Sequence, residues 1–399
     1  MEDPVHLGGC IILRRPLSPT GRSTATFLLK PRFMIDAPSS VSVPLAAGRD
    51  YAIRYESLRS LPNLLAGAGL RTGKCVVITD TNVGAQYRSP VRTTLTEAGW
   101  TPHVVTVPAG ETSKSAEQLL SVYDNVLEWG IDRDTPVIAL GGGVVGDLAG
   151  FAAATLLRGV PVVQCPTSLI ALVDSSLGGK TGVNHATGKN LIGAFHQPVV
   201  VVADLDTLGT LPQREWTSGM AEVIKHALIA DANLFAFIDA NLVDVMTGRS
   251  RSMIEQMIPR ATEVKAKIVA QDEMESGIRA ILNFGHTFGH AIESVAGYGT
   301  FTHGEAVAVG MRAALYLSAQ RHTDAIPRDR IDHVLRAIPQ QHDPADLDWT
   351  AVRAAMQSDK KNKGDTVRFV LLSELGDAYV TGDVPDADLR HAWEFAIST

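Results

Sequence analysis

Cysteine is scarce in this chain: Cys10, Cys75 and Cys165 are the only three in 399 residues, and they lie far apart. Such spacing builds neither a disulfide framework nor a paired-cysteine metal knuckle, and it fits a reducing compartment. Long apolar runs are missing too. No stretch approaches the roughly 20 residues that a bilayer-crossing helix needs, which excludes a membrane span of that kind. The start, "MEDPVHLGG", is acidic and lacks the apolar centre of a secretory signal, so the expected location is the cytoplasm. Basic excess is absent as well: 36 Lys and Arg stand against 43 Asp and Glu, a net charge of −7. That balance disfavours nucleic acid as a general partner and leaves only local basic pockets to look for.

What is present is an ordinary globular composition, 45% hydrophobic and 20% charged. The length suggests two domains, each able to bury roughly 70% of its unfolded surface. Residues 1–48 carry a Pro-, Ser- and Arg-rich stretch without clean periodicity, an extension of uncertain order. After it, short β-branched runs ("KCVVITD", "HVVTVP", "TPVIALGGG", "VPVVQCP", "VVVVADL") alternate with helical patterns such as "SAEQLLSVYDNVLEWG". That alternation predicts a Rossmann-like parallel sheet covered on both faces, an α/β domain over 49–190. From about residue 212 the spacing turns helical, with "TVRFVLL" as the late strand candidate, so 191–399 is expected to be a mostly α-helical domain. There is no internal repeat.

"VIALGGGVVGDLAGFAAAT" places Gly141, Gly143 and Gly146 directly after a predicted strand and before a small-residue helix. Backbone amides in such a turn can approach a pyrophosphate, whose charge the helix N-terminus favours; a tight turn needing glycine for its φ would look the same. No Asp or Glu ends the next strand, "VPVVQCP", where a ribose ligand is expected. The earlier strand end "VVITDTN" offers Asp80 and Asn82 at a carboxyl edge instead.

Downstream, "CPTSLIALVDSSLGGKTGVNHATGKNLIGAFHQP" gathers Asp174, Lys180, Asn184, Lys189 and Asn190 among glycines. We read it as a polar loop that brings cations and amides to an anionic ligand. A merely solvated loop tolerates these residues without needing the flanking glycines.

"ILNFGHTFGHAIE" sets His286 and His290 four apart, one helical turn from each other on one face. They could meet a metal, a phosphate or nothing, and a lone histidine on an apolar face is most often a core residue. Glu222 in "GMAEVIKHA" and His303 in "FTHGEAVAVG" complete a possible set of two imidazoles and a carboxylate, a common ligation of catalytic zinc. Spacing alone pairs His286 with His290 as the metal ligands.

These blocks, in this order, together with "AGETSK" and "SDKKNKG", resemble the 3-dehydroquinate synthase family of sugar phosphate cyclases, over about residues 75 to 375. The resemblance implies an α/β domain holding NAD, a helical domain holding a divalent metal, zinc or cobalt, and a site in the cleft between them. It assigns the metal to Glu222, His286 and His303 and turns His290 toward the substrate phosphate. NAD would be held by Asp80, Asn82, Glu111, Lys114, Gly142, Gly143, Val144, Asp147, Thr167, Ser168, Lys180, Lys189 and Thr210. Substrate contacts and catalysis would fall to Asp174, Lys180, Lys189, Asn190, Lys225, Lys265, Arg279, Asn283, His290 and Lys360. Arg158 resembles an arginine that reaches the phosphate site of a neighbouring subunit, which implies a homodimer.

The implied reaction converts 3-deoxy-arabino-heptulosonate 7-phosphate to 3-dehydroquinate and phosphate, in the shikimate route to aromatic amino acids. It runs by transient oxidation, elimination, re-reduction and intramolecular aldol closure, with NAD recycled. Cyclases for sedoheptulose 7-phosphate (2-epi-5-epi-valiolone synthases) or glucose 6-phosphate bind substrates without a carboxylate, so Lys265 and Arg279 argue against them. An amino-dehydroquinate synthase would look nearly identical. A metal-dependent NAD alcohol dehydrogenase would release NADH, and the lysine-rich 180–190 stretch argues against it. A non-catalytic NAD-binding protein would be expected to lose ligands, and none is missing.

Overall fold

The computed structural model describes residues 35–358 and 367–398. Most of the extension, with Cys10, and the segment carrying Lys360 lie outside the described residues; Cys75 and Cys165 are free and buried. All described residues belong to one unit.

Eleven strand segments are β1 (Ser40–Val43), β2 (Tyr51–Arg54), β3 (Lys74–Asp80), β4 (Thr101–Val107), β5 (Val137–Gly141), β6 (Val162–Pro166), β7 (Lys180–His185), β8 (Gly188–Phe195), β9 (Val200–Val202), β10 (Phe369–Glu374) and β11 (Asp377–Thr381) among the described residues. The first domain's helices are α1 (Leu61–Gly67), α2 (Thr81–Glu97), α3 (Ala116–Trp129) and α4 (Gly143–Thr155). The later ones are α5 (Gln213–Ala230), α6 (Ala232–Ala240), α7 (Leu242–Thr247), α8 (Arg251–Gln271), α9 (His286–Ala296), α10 (His303–Arg321), α11 (Arg328–Arg336), α12 (Trp349–Ser358) and α13 (Asp386–Ile397).

The main sheet runs β1-β2-β9-β6-β5-β3-β4, parallel except for the antiparallel β1–β2 pair. Its central strands are apolar on both faces: β5 and β6 are buried along their whole length. Helices cover both sides because such strands have no face to give to water. Two apolar clusters fill the sheet–helix layers, one around Val76, Ile78 and Val137, the other around Val77, Ile138 and Leu140. The alternation of β3 side chains between the two is the pleat itself.

From β3 the chain steps to β4 on one side and to β5 on the other. The strand order therefore reverses between β3 and β5, and ligands of doubly wound sheets bind outside the carboxyl ends of the strands at such a point. Asp80 ends β3 and the glycine turn follows β5.

Two expectations change, one at β1 and one at the polar segment. The strands β1 and β9 lie outside the 49–190 span assigned to the α/β part, β1 within the stretch taken as an extension. Ser40–Val43 has the inward alternation of an edge strand, with Val41 and Val43 buried, but four residues are too short to stand out in sequence. The polar segment read as a loop is an antiparallel hairpin, β7–β8, in which Gly182 pairs with Gly193. A methyl group on Gly182 would lie 2.5 Å from the Ile192 carbonyl oxygen, so the glycines that masked the strands let them approach.

The helical part packs around α10, which is buried on nearly every side from Gly304 to Leu315. A third cluster joins it to β1, β2 and the segment after β6, through Val43, Ile53, Leu169 and Leu172. No helix among the described residues is long and apolar enough to cross a membrane.

Candidate active site

Three glycine contacts bring α5, α9 and α10 closer than side chains allow. A methyl group on Gly304 would come within 2.0 Å of the Ser218 carbonyl oxygen on α5, and one on Gly310 within 2.0 Å of the Gly285 carbonyl oxygen at the start of α9. Gly289 lies against Val307 in the same seam. The Gly304 N–H donates to Ser218 Oγ at 3.0 Å, which fixes the register of α10 on α5. A capping box, Thr302 with Glu305, sets where α10 begins, so His303 is its first residue.

The result is a convergence of Glu222 from α5, His286 from α9 and His303 from α10. Nε2 of His286 lies 3.7 Å and Nε2 of His303 lies 3.5 Å from Oε1 of Glu222. One ligand atom from each falls within 4.8 Å of the others. Oε1 of Glu222 is buried and has no hydrogen-bond partner, whereas Oε2 accepts from Lys225 Nζ. An orphaned carboxylate oxygen costs free energy unless something cationic sits beside it. The donor set, one acid and two imidazoles, fits a divalent zinc- or cobalt-type ion, so the residues present suit the group. Burial, and then the Lys225 charge, hold the His286 pKa well below its usual value, which leaves a neutral imidazole able to ligate.

The spacing-based pairing of His286 with His290 is not what converges on Glu222. The His290 ring is 5.3 Å from His286 and 6.3 Å from His303, centroid to centroid, beside the cluster rather than in it. His303, remote in sequence, takes the place because α10 packs on α9.

Around this cluster lie the cations. Lys265 Nζ donates to the Asp174 carboxylate and to its backbone carbonyl, each at 2.6 Å. Asp174 is presented by a π-helical turn, Ala171–Ser175, and such turns recur at functional sites. Burial alone would raise the Asp174 pKa, but Lys265 and Lys225 hold it below the ordinary carboxylate value; burial lowers Lys265 to about 8. Arg279 is 1% exposed. Its guanidinium donates to the carbonyls of Glu273 and Gly178, and its Nε has no protein partner. Lys180 and Asn283 both donate to Glu275, a residue with φ 57° that the sequence reading passed over.

At the switch point, Gly142 precedes α4 and the carboxylate of Asp80 caps α2 by accepting from the N–H groups of Asn82 and Val83. Gly142, Gly143 and Val144 open α4 beside Thr167 and Ser168, which follow β6: Thr167 N–H donates to the Gly141 carbonyl, and a methyl on Gly142 would lie 3.3 Å from Ser168 Oγ. That surface is bare backbone, suited to an anionic nucleotide. Lys114, 5% exposed, donates to Asp147 at 2.6 Å and to Asn190. Glu111 accepts from Asn184, and Thr210 pairs with the Tyr87 hydroxyl at 2.8 Å. Arg158 is exposed, and both it and Leu157 have left-handed backbones, φ 68° and 51°.

One chain of contacts joins the two ends: Asp147 to Lys114, Lys114 to Asn190, then neighbouring Lys189 to Glu293, Glu293 to His303, and His303 to Glu222. The β7–β8 hairpin is the bridge. Glu293 escaped the sequence reading, although its spacing, seven from His286 and three from His290, marks the same helical face.

Two family models match, that of the 3-dehydroquinate synthase N-terminal region over residues 104–218 and that of the C-terminal region over 219–362. A 3-dehydroquinate synthase from Salinibacter ruber is 60% identical over 362 residues, covering 91% of this chain and 98% of the relative. Among solved structures, 2-epi-5-epi-valiolone synthase from Streptomyces hygroscopicus subsp. jinggangensis 5008, with NAD+ and Zn2+ bound, superposes with a TM-score of 0.79 at 27% identity, covering 89% of this chain and 98% of that one. A 2-deoxy-scyllo-inosose synthase complexed with carbaglucose-6-phosphate, NAD+ and Co2+ gives 0.77 at 26% identity, over 89% and 100%. Matched across both halves by its models and along nearly the full length of a relative, the chain belongs to the 3-dehydroquinate synthase family.

Proposed function

We propose that this enzyme converts 3-deoxy-arabino-heptulosonate 7-phosphate to 3-dehydroquinate and phosphate, using NAD and a divalent zinc or cobalt ion, in aromatic amino acid biosynthesis. The observation that carries the reading is the convergence of Glu222, His286 and His303 with an unpartnered carboxylate oxygen, linked through the hairpin to the glycine turn at the sheet's switch point.

When bound, the nicotinamide exchanges a hydride with the substrate's C5 and the ion acts as a Lewis acid at that position. Gly142, Gly143, Val144, Thr167 and Ser168 receive the pyrophosphate, with Asp80, Asn82 and Thr210 on the remainder of the nucleotide. Glu111, Lys114, Asp147, Lys180 and Lys189 support the same cofactor. Lys265 and Arg279 bind the substrate carboxylate; both are buried, so their charge acts in a low-dielectric site and the gain is large only for an anion. Asp174 holds Lys265 in place by accepting from it. Lys180, Lys189, Asn190, Lys225, Asn283 and Lys360 orient the hydroxyls and phosphate, restricting the substrate to one conformer. Two groups are candidates for taking the C6 proton, the substrate's own phosphate and, among side chains, His290 beside the Glu222–His286–His303 cluster.

Three finer readings go with this. The NAD site belongs chiefly to 49–190 and the metal site to 191–399. The enzyme works as a homodimer in the cytoplasm, Arg158 of each subunit reaching the other's phosphate site. The consecutive left-handed residues Leu157 and Arg158 support this, since such strain persists where a side chain must be aimed.

The test is product formation from three phosphates supplied separately with NAD and zinc. A carbocyclic product from the seven-carbon acid alone is expected. Turnover of sedoheptulose 7-phosphate or glucose 6-phosphate at comparable rates would defeat the assignment.

A further inference from the structure

Glu293 sits on α9 with its side chain only 7% exposed, and both of its carboxylate oxygens are engaged. Oε1 accepts from Lys189 Nζ at 3.0 Å, and Oε2 accepts from His303 Nδ1 at 3.2 Å. An ionised carboxylate can only accept, so Nδ1 of His303 must carry the proton. Nε2 then faces the point shared with Glu222 and His286, where a bound cation would take the place of a second ring proton. On the other side, Lys189 also lies 4.3 Å from the Tyr298 ring centroid, so the tip of the β7–β8 hairpin is held against the helical part at this acid.

We propose that Glu293 is a positioning residue: it fixes the tautomer and orientation of His303 for cation binding and, through Lys189, ties the β7–β8 hairpin to the cation site. The inference rests on the divalent-metal reading above. Carboxylates behind metal-bound imidazoles act in this way, and their loss costs metal affinity rather than only stability.

The experiment is zinc binding to the full chain, measured by competition with a chromophoric chelator for the wild type, Glu293→Gln and Glu293→Asp, with melting temperatures of the metal-free proteins alongside. Glu293→Gln should weaken zinc binding by about 10- to 100-fold. Glu293→Asp, which keeps the charge, should recover part of that loss. A wild type that binds no stoichiometric zinc would remove the metal reading itself. A wild type that binds zinc while the variants match it within twofold would overturn the positioning role alone, even if their melting temperatures fall. Should Glu293→Gln not fold, an undiminished affinity in Glu293→Asp overturns the role and a weakened one supports it.

Discussion

Nε2 of His303 lies 3.5 Å from Oε1 of Glu222, although 81 positions, 303 less 222, separate them in the chain. A single ion between them and His286, as proposed above, would supply the orphaned oxygen with a partner. His303→Ala should therefore lose stoichiometric zinc by elemental analysis. His290→Ala should retain the metal and turn over about 10²- to 10⁴-fold more slowly. Metal loss in His290→Ala with retention in His303→Ala would restore the i, i+4 pairing.

Lys114 links Asp147 to the hairpin through Asn190. Lys114→Met strands a carboxylate whose pKa burial already raises. Losing charge-assisted bonds worth about 1.5–3 kcal/mol should weaken NAD binding roughly 10- to 100-fold while zinc content stays whole. Fluorescence titration with NAD checks this; an unchanged dissociation constant would remove Lys114 from the cofactor site.

Gly310 touches the Gly285 carbonyl where α10 meets α9. Gly310→Ala forces the helices apart at a cost of about 3 kcal/mol, near the top of the usual overpacking range. Because His286 starts α9 and His303 starts α10, zinc occupancy should fall together with stability. Denaturant unfolding and metal analysis on one preparation decide whether the two move together.

The Asp272 carboxylate accepts from the N–H groups of Ser276, Gly277 and Arg279. It thereby shapes the turn that seats Arg279. Burial would raise its pKa, but these bonds lower it to about 2. A carboxyl depressed in the folded state stabilises above its unfolded value, near pH 4, and that contribution is lost as pH falls through about 2. Asp272→Asn should be less stable by about 1–2 kcal/mol at neutral pH, and the gap should close as the pH drops from 4 toward 2. Urea unfolding over that window tests the sign; a gap independent of pH would show that the acid's charge is not the cause.

The sheet's central strands were legible because β3, β5 and β6 are short apolar runs bounded by turn residues. The hairpin β7–β8 was not, since its pairing depends on glycines that local propensity scores against strands. Glu222 and His303 stood out as residue types, yet nothing in their spacing says that they meet. That encounter is made by Gly304 and Gly310, contacts between segments that become neighbours only once α5, α9 and α10 are packed. Glu275 and Glu293 were hidden for the same reason: their importance lies in partners, Lys180, Lys189 and His303, that arrive from elsewhere in the fold.

The reaction is redox-neutral, with cofactor and ion both returned. Phosphate release from 3-deoxy-arabino-heptulosonate 7-phosphate, followed with NAD far below the substrate concentration and with and without EDTA, tests it most directly. Many turnovers per NAD, no build-up of NADH absorbance, loss of activity with EDTA and recovery with zinc or cobalt are predicted. NADH accumulating in step with product, or full activity in the chelated enzyme, would contradict it.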